Sequence, residues 1–272
     1  MYPLLLSIGS FQIYSLSVSI ILAWLVFSFL FWRQLRSNGV DEDKIFDLTF
    51  YTTLAAFVAS RAVYVVLHWD LFADTWLKIA ALWVQPGFSL YGAFIGALMT
   101  LVSMSRAFKV RLGHVLDAVA LSFPSAIIVG LIGVFLDGSV PGKIVDLPWA
   151  LRVVGLVGKR HPVQMYEIII ICILITVILK IQKRSTKEKW PYGVVGVWFF
   201  ILYSFSMFIL EFFKDTRVYW ISLSANQWIL IALFAEALGA FYVRGGGREA
   251  IRPLVYKIKG GIYAKLSKRH TE

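Results

Sequence analysis

The sequence predicts an all-α polytopic membrane protein of about seven transmembrane helices, and three observations carry that prediction. Apolar residues make up 59% of the 272 positions and charged residues only 16%, with a mean hydropathy of +0.74. A soluble domain has about 25% of its residues charged. Seven apolar runs approach the roughly 20 residues needed to cross a bilayer. The 10 Trp, 12 Tyr and 21 Phe suit the aromatic belts of a membrane interface.

The runs fall at about 14–32, 46–67, 88–105, 113–135, 162–180, 192–213 and 226–243. The first follows Met1 to Gln12, which has no Lys or Arg and so lacks the basic start of a secretory signal; it is read as a retained helix. The second carries Arg61 and Tyr64 near its end. The third opens on a glycine-rich stretch, and it and the fifth are short enough to tilt or be partly re-entrant. The fourth contains Pro124, which removes a backbone donor and should kink it. The fifth opens on Arg160-His161-Pro162-Val163-Gln164-Met165-Tyr166-Glu167. The sixth holds Tyr203 and Glu211, and Gln227 opens the seventh. Residues 1–243 are thus one membrane domain and 244–272 a basic tail.

Lys and Arg set an expected orientation. Most of the 27 fall in the loops after spans one, three and five and in the tail, as with Arg33, Arg106, Lys183 and Arg252. The opposite loops hold few. The N-terminus is therefore expected outside and the C-terminus in the cytoplasm. The net charge of +11 then reflects topology and a tail lying on anionic lipid, not a nucleic-acid partner. The single cysteine, Cys172, excludes a disulfide framework or a Cys-based metal site. No HExxH, Walker-type loop or GxSxG occurs, which removes support from metallopeptidase, nucleotide hydrolase and serine hydrolase readings.

With that orientation, the ionisable groups of five spans fall at a similar depth. Arg61 and Tyr64, then Tyr91, then Asp137, then Arg160 to Glu167, then Tyr203 and Glu211 all lie toward the outside. Polar groups in a membrane are costly and mark function, so a lateral, lipid-accessible cavity near the outer leaflet is expected. Arg61 and Arg160 suit an anionic headgroup, and Glu211 and Glu167 are also possible ion-pair partners for them. Gln164 fits either the headgroup or ordinary capping of its own helix after Pro162. His161, at a positive helix end beside Arg160, suits an anion or a proton transfer. His68, His114 and His270 are read as solvated, and Asp117 as structural. The polar groups lie too shallow for a transporter, which places its site at mid-membrane.

In order along the chain, these segments resemble the prolipoprotein diacylglyceryl transferases. The strongest piece is Arg160-His161-Pro162-x-Gln164-x-Tyr166-Glu167, which is similar to the family's RHPxQxYE segment. Weaker pieces are Ser7-Ile8-Gly9 with Ile13-Tyr14-Ser15, Arg61-x-x-Tyr64, Gly87 to Gly96, Ile132 to Gly138, Tyr203 with Glu211-Phe212-Phe213, and Gln227. The resemblance runs from about Ser7 to Val243. It implies seven-helix enzymes of the bacterial inner membrane that move diacylglycerol from phosphatidylglycerol to the thiol of a lipobox cysteine. On that basis His161, Glu167 and Tyr91 are expected to be catalytic. Arg61, Arg160, Gln164, Tyr166 and Lys143 are expected to bind lipid phosphate. Asp137, Glu211, Tyr64 and Tyr203 are expected to line the cavity or support it. No cofactor or metal is implied; the partners are an anionic phospholipid and a lipobox prolipoprotein.

The chain departs from the family pattern at five places. Tyr91 stands where a His is expected, Leu131 and Met207 where arginines are expected, and Val134 where an Asn is expected. Leu16-Ser17 replaces a Tyr-Gly pair. A diverged transferase and a non-catalytic paralogue that binds lipid or a lipoprotein partner both follow from the same residues.

Overall fold

The computed structural model describes residues 2–8 and 11–244; Gly9 and residues 245–272 of the expected basic tail, with His270, lie outside the described residues. Seven of its helices are long and apolar enough to cross a membrane, and the chain is a multi-pass membrane protein.

The chain opens with an antiparallel hairpin of β1 (Leu4–Ile8) and β2 (Phe11–Tyr14), which the apolar pattern alone did not reveal. Then come α1 (Ser15–Ser37), α2 (Glu42–Leu67), a 3-10 turn (Trp69–Leu71), the short α3 (Leu77–Ala80) and α4 (Leu90–Ala107). Next are α5 (Leu112–Asp137), the two-residue strands β3 (Leu151–Arg152) and β4 (Lys159–Arg160), and α6 (Val163–Glu188). The chain continues through α7 (Val194–Glu211), the strands β5 (Val218–Trp220) and β6 (Leu223–Ser224), and α8 (Ala225–Arg244). These elements form two compact units. One contains Ser28–Val115; the other contains the N-terminal residues to Phe27 and the chain from Leu116 onward.

In the unit from Ser28 to Val115, α2 and α4 pack through small residues. A Cβ on Gly92 would lie 2.5 Å from the Ala59 carbonyl oxygen, and one on Gly96 would lie 2.5 Å from the Ala59 Cβ. Glycines four apart let two backbones meet closely, which is how helices associate where lipid is the solvent. Ser89 caps α4, its hydroxyl accepting from the Gly92 N–H at 3.3 Å. Its carbonyl accepts from the Ser60 hydroxyl of α2 at 2.8 Å.

In the other unit α7 is the most enclosed span, with half of its apolar window buried. Ile178 of α6, Ala120 of α5, and Val195 and Phe199 of α7 form one apolar cluster. Asp117 fastens the start of α7: its two carboxylate oxygens accept from the Gly193 and Gly196 N–H groups, both at 2.8 Å. Helix starts leave such donors unmet, so this buried carboxylate is structural, with a partner 76 residues away that no local pattern shows.

Two expectations need correction. Span five is not short: α6 has 26 residues, because the polar stretch after Lys180 stays helical, supported by the Arg184–Glu188 pair, until Lys189 turns left-handed at φ 54°. His114 is buried, not solvated.

Candidate functional site

The candidate site grows from the short segment ahead of α6. Side chains alternate along a strand, so in β4 Lys159 faces out and Arg160 faces in. Strand β4 pairs with β3, and Ile144 bridges to Arg160 from the other direction. The segment 142–145 thus lies between two others. The His161 N–H donates to the Lys143 carbonyl at 3.1 Å, and the Lys143 N–H donates to the Phe213 carbonyl at 2.8 Å. Gly142 bridges to Lys214, and a Cβ there would collide with the His161 backbone, so only glycine lets this segment pass.

Arg160 is 7% exposed. Its Nη1 donates to the Gly142 carbonyl at 3.0 Å and to Asp215 Oδ2 at 2.7 Å. Its Nε is buried with no partner among the described residues. A small pocket opens here, lined by Phe135, Gly138, Val140, Leu151, Arg160, His161 and Gln164 among others. Gln164 does not cap its own helix: its amide donates to the Val140 carbonyl at 2.6 Å, tying the pocket's far wall to α6.

The buried face of α6 reads Val163, Gln164, Glu167, Ile171, Leu174 and Ile178, one stripe at helical spacing. Glu167 therefore continues an apolar face, as Glu211 does after Met207 and Leu210 on α7. A buried carboxylate needs a partner. Both find the same one. The Lys214 ammonium lies 2.8 Å from Glu167 Oε1 and 2.9 Å from Glu211 Oε2. Burial of Lys214 works against its charge, but the two carboxylates outweigh it and hold its pKa above the usual lysine value. Glu211 Oε1 also accepts from Asn226 at 2.9 Å and Ser224 at 3.3 Å. Tyr203 lies within electrostatic range of both carboxylates.

Below this triad the side chains are apolar. Ile171, Met207 and Leu210 form a buried cluster, with Leu131, Tyr166 and Tyr203 packed against it. The two positions where the resemblance leads to arginines thus lie in one greasy patch. Val134 is half-buried nearby in sequence on α5, as is Asp137 at its end. The Lys143 side chain stays exposed.

His161 and Tyr166 stand together. The His161 Nδ1 is 3.3 Å from the Tyr166 hydroxyl, which also accepts from the Trp149 indole N–H at 2.7 Å. In the unit of α2 and α4, Arg61 spends Nε, Nη1 and Nη2 on the carbonyls of Ile79, Gly87 and Lys78 at 2.8–2.9 Å. It also lies 5.1 Å from the Phe72 ring and 5.8 Å from the Tyr64 ring. Arg61 thereby folds the 68–89 connection back onto α2. Tyr91 sits in the first turn of α4, 37% exposed.

Sequence reasoning missed Lys214, Asp215 and Trp149. Glu211-x-x-Lys214 is a helical ion-pair spacing and was a usable signal. Asp215 and Trp149 carry no local sign, since their partners lie 55 and 17 residues away.

The chain matches known proteins along nearly its whole length. Residues 3–243 match the family described as LGT, prolipoprotein diacylglyceryl transferase. A protein of Ligilactobacillus salivarius named phosphatidylglycerol–prolipoprotein diacylglyceryl transferase is 27% identical over 254 residues, covering 89% of this chain and 93% of its own. One of the same name from Wolbachia pipientis is 27% identical over 245 residues, covering 85% and 90%. A third, from Mannheimia succiniciproducens, is 31% identical over 196 residues, covering 69% and 72%. With a match across nearly its whole length, the chain belongs to the prolipoprotein diacylglyceryl transferase family.

Proposed function

We propose that this protein transfers a diacylglyceryl group from phosphatidylglycerol, or a closely related anionic phospholipid, to the thiol of a lipobox prolipoprotein in the bacterial inner membrane. It lies N-out and C-in, with the head of α6 at the outer leaflet. The observation that carries the reading is the pocket at that helix head, where a buried Arg160 keeps one N–H unpartnered beside His161 and Gln164. An anionic headgroup is the ligand such a wall suits. In the reaction the acceptor sulfur bonds to the glyceryl carbon, the carbon–oxygen bond to phosphate breaks, and glycerol phosphate leaves with the electron pair. The thiol proton passes to Glu167 or His161. Arg160 offsets charge on the departing phosphate, an effect worth about 10²–10³ in rate for one donor.

One observation favours a second reading. Leu131 and Met207 line an apolar cluster, and Lys214 neutralises part of the charge of Glu167 and Glu211. A site so arranged suits a paralogue that binds phospholipid or a lipoprotein without turnover. Complementation separates the two. Expressed in a strain depleted of its own transferase, a working enzyme restores growth and diacylglyceryl-modified lipoproteins. A binding paralogue restores neither, although phosphatidylglycerol still binds the purified protein.

A further inference from the structure

The histidine at the pocket has its chemistry set from behind. Resting on the headgroup assignment above, we propose that Trp149 and Tyr166 fix the tautomer of His161, so that it meets an anionic headgroup as an N–H donor through Nε2. Indole nitrogen can only donate, so the direction of the 2.7 Å contact from Trp149 to the Tyr166 oxygen is set. The phenol keeps one proton to give, and the His161 Nδ1 is 3.3 Å away. Among the described residues no other acceptor is recorded for that proton. Were Nδ1 to carry the proton instead, both hydroxyl lone pairs would accept and the phenolic O–H would be left without a partner. A hydroxyl that accepts one hydrogen bond donates the next more strongly. The consistent arrangement runs from Trp149 N–H to Tyr166 O–H to His161 Nδ1. A neutral imidazole that accepts at Nδ1 carries its proton at Nε2.

The rings have little room to change this. Phe213 meets His161 edge-on at 5.2 Å and Tyr166 at 6.2 Å. The His161 backbone is tied to Lys143 and pressed by Gly142. With Nδ1 occupied, Nε2 is the ring nitrogen left for a ligand in the pocket that His161 lines. It adds a second donor beside Arg160. Trp149 and Tyr166 are positioning residues: they act on the ligand through His161.

The test is nitrogen-15 NMR of the full-length protein labelled at histidine, in lipid nanodiscs. The measurement is made at about pH 8, above the ordinary imidazole range. His161→Gln assigns its signals among the four histidines. The expected result is a single Nε2–H tautomer in the wild type. Tyr166→Phe should give a mixture of tautomers, and Trp149→Phe a smaller change in the same direction. The Nε2 signal should move in nanodiscs of phosphatidylglycerol and not in those of phosphatidylcholine. An Nδ1–H tautomer in the wild type, or one that Tyr166→Phe leaves unaltered, overturns the proposal. So does an Nε2 signal indifferent to phosphatidylglycerol. None of these readings requires turnover, so they stand apart from failure of the transfer reaction itself.

Discussion

Lys214 joins the head of α6 to the end of α7 through two carboxylates. It is the shared cation of two carboxylates that sit on otherwise apolar helix faces. Lys214→Met leaves both carboxylates buried and facing each other. It should lower stability by about 3–5 kcal/mol, the cost of breaking a buried pair from one side, while Lys214→Arg keeps most of it. Thermal unfolding in detergent reads both. The pH dependence has a definite sign. Because the folded pKa of Lys214 is raised, its contribution is complete below the unfolded value of about 10.4 and fades as pH climbs through the higher folded value. The gap between wild type and Lys214→Met should therefore stay level through neutral pH and close only in strong alkali. Arg160→Ala should weaken phosphatidylglycerol binding about 10- to 100-fold, the worth of a charge-assisted hydrogen bond. Titration with labelled lipid measures it, and unchanged affinity would remove Arg160 from the headgroup site.

At the scale of elements, small residues and caps do what apolar periodicity cannot. Gly92→Ala should force α4 off α2 and cost about 1–3 kcal/mol, since its Cβ has no space beside Ala59 and Val63. Asp117→Ala should cost about 1–2 kcal/mol through loss of the α7 cap; an unchanged melting temperature would contradict that role. The seven spans were legible because bilayer thickness imposes a length that hydropathy measures directly. The strand-like passage at 142–145 was not, because its bridges run to Arg160 and Lys214, backbone partners distant in sequence. The segment Arg160 to Glu167 was legible as a polar cluster at a helix mouth. Its wiring was not: Gln164 reaches Val140 and Arg160 reaches Asp215, across loops of unpredictable path. Arg61 was read from its depth in span two and the Arg61-x-x-Tyr64 resemblance, while its hold on three carbonyls depends on the path of the 68–89 connection.

For the molecule as a whole, the segment Arg160 to Glu167 carries both the strongest family resemblance and the proposed chemistry. The match across residues 3–243 follows the spans and their connecting segments. The proposed chemistry draws on a handful of polar groups, and Arg160, His161, Gln164, Glu167 and Glu211 are held in one unit by defined partners. Leu131 and Met207 lie in an apolar cluster, and in the proposed reaction Arg160 supplies the cation for the departing phosphate. The account therefore ties activity to the head of α6. The most direct test is intact-mass spectrometry of a lipobox peptide incubated with the purified protein in phosphatidylglycerol nanodiscs. The account predicts a peptide heavier by one diacylglyceryl group, formed by the wild type and sharply reduced with Arg160→Ala. A peptide that stays unmodified while phosphatidylglycerol demonstrably binds would contradict it.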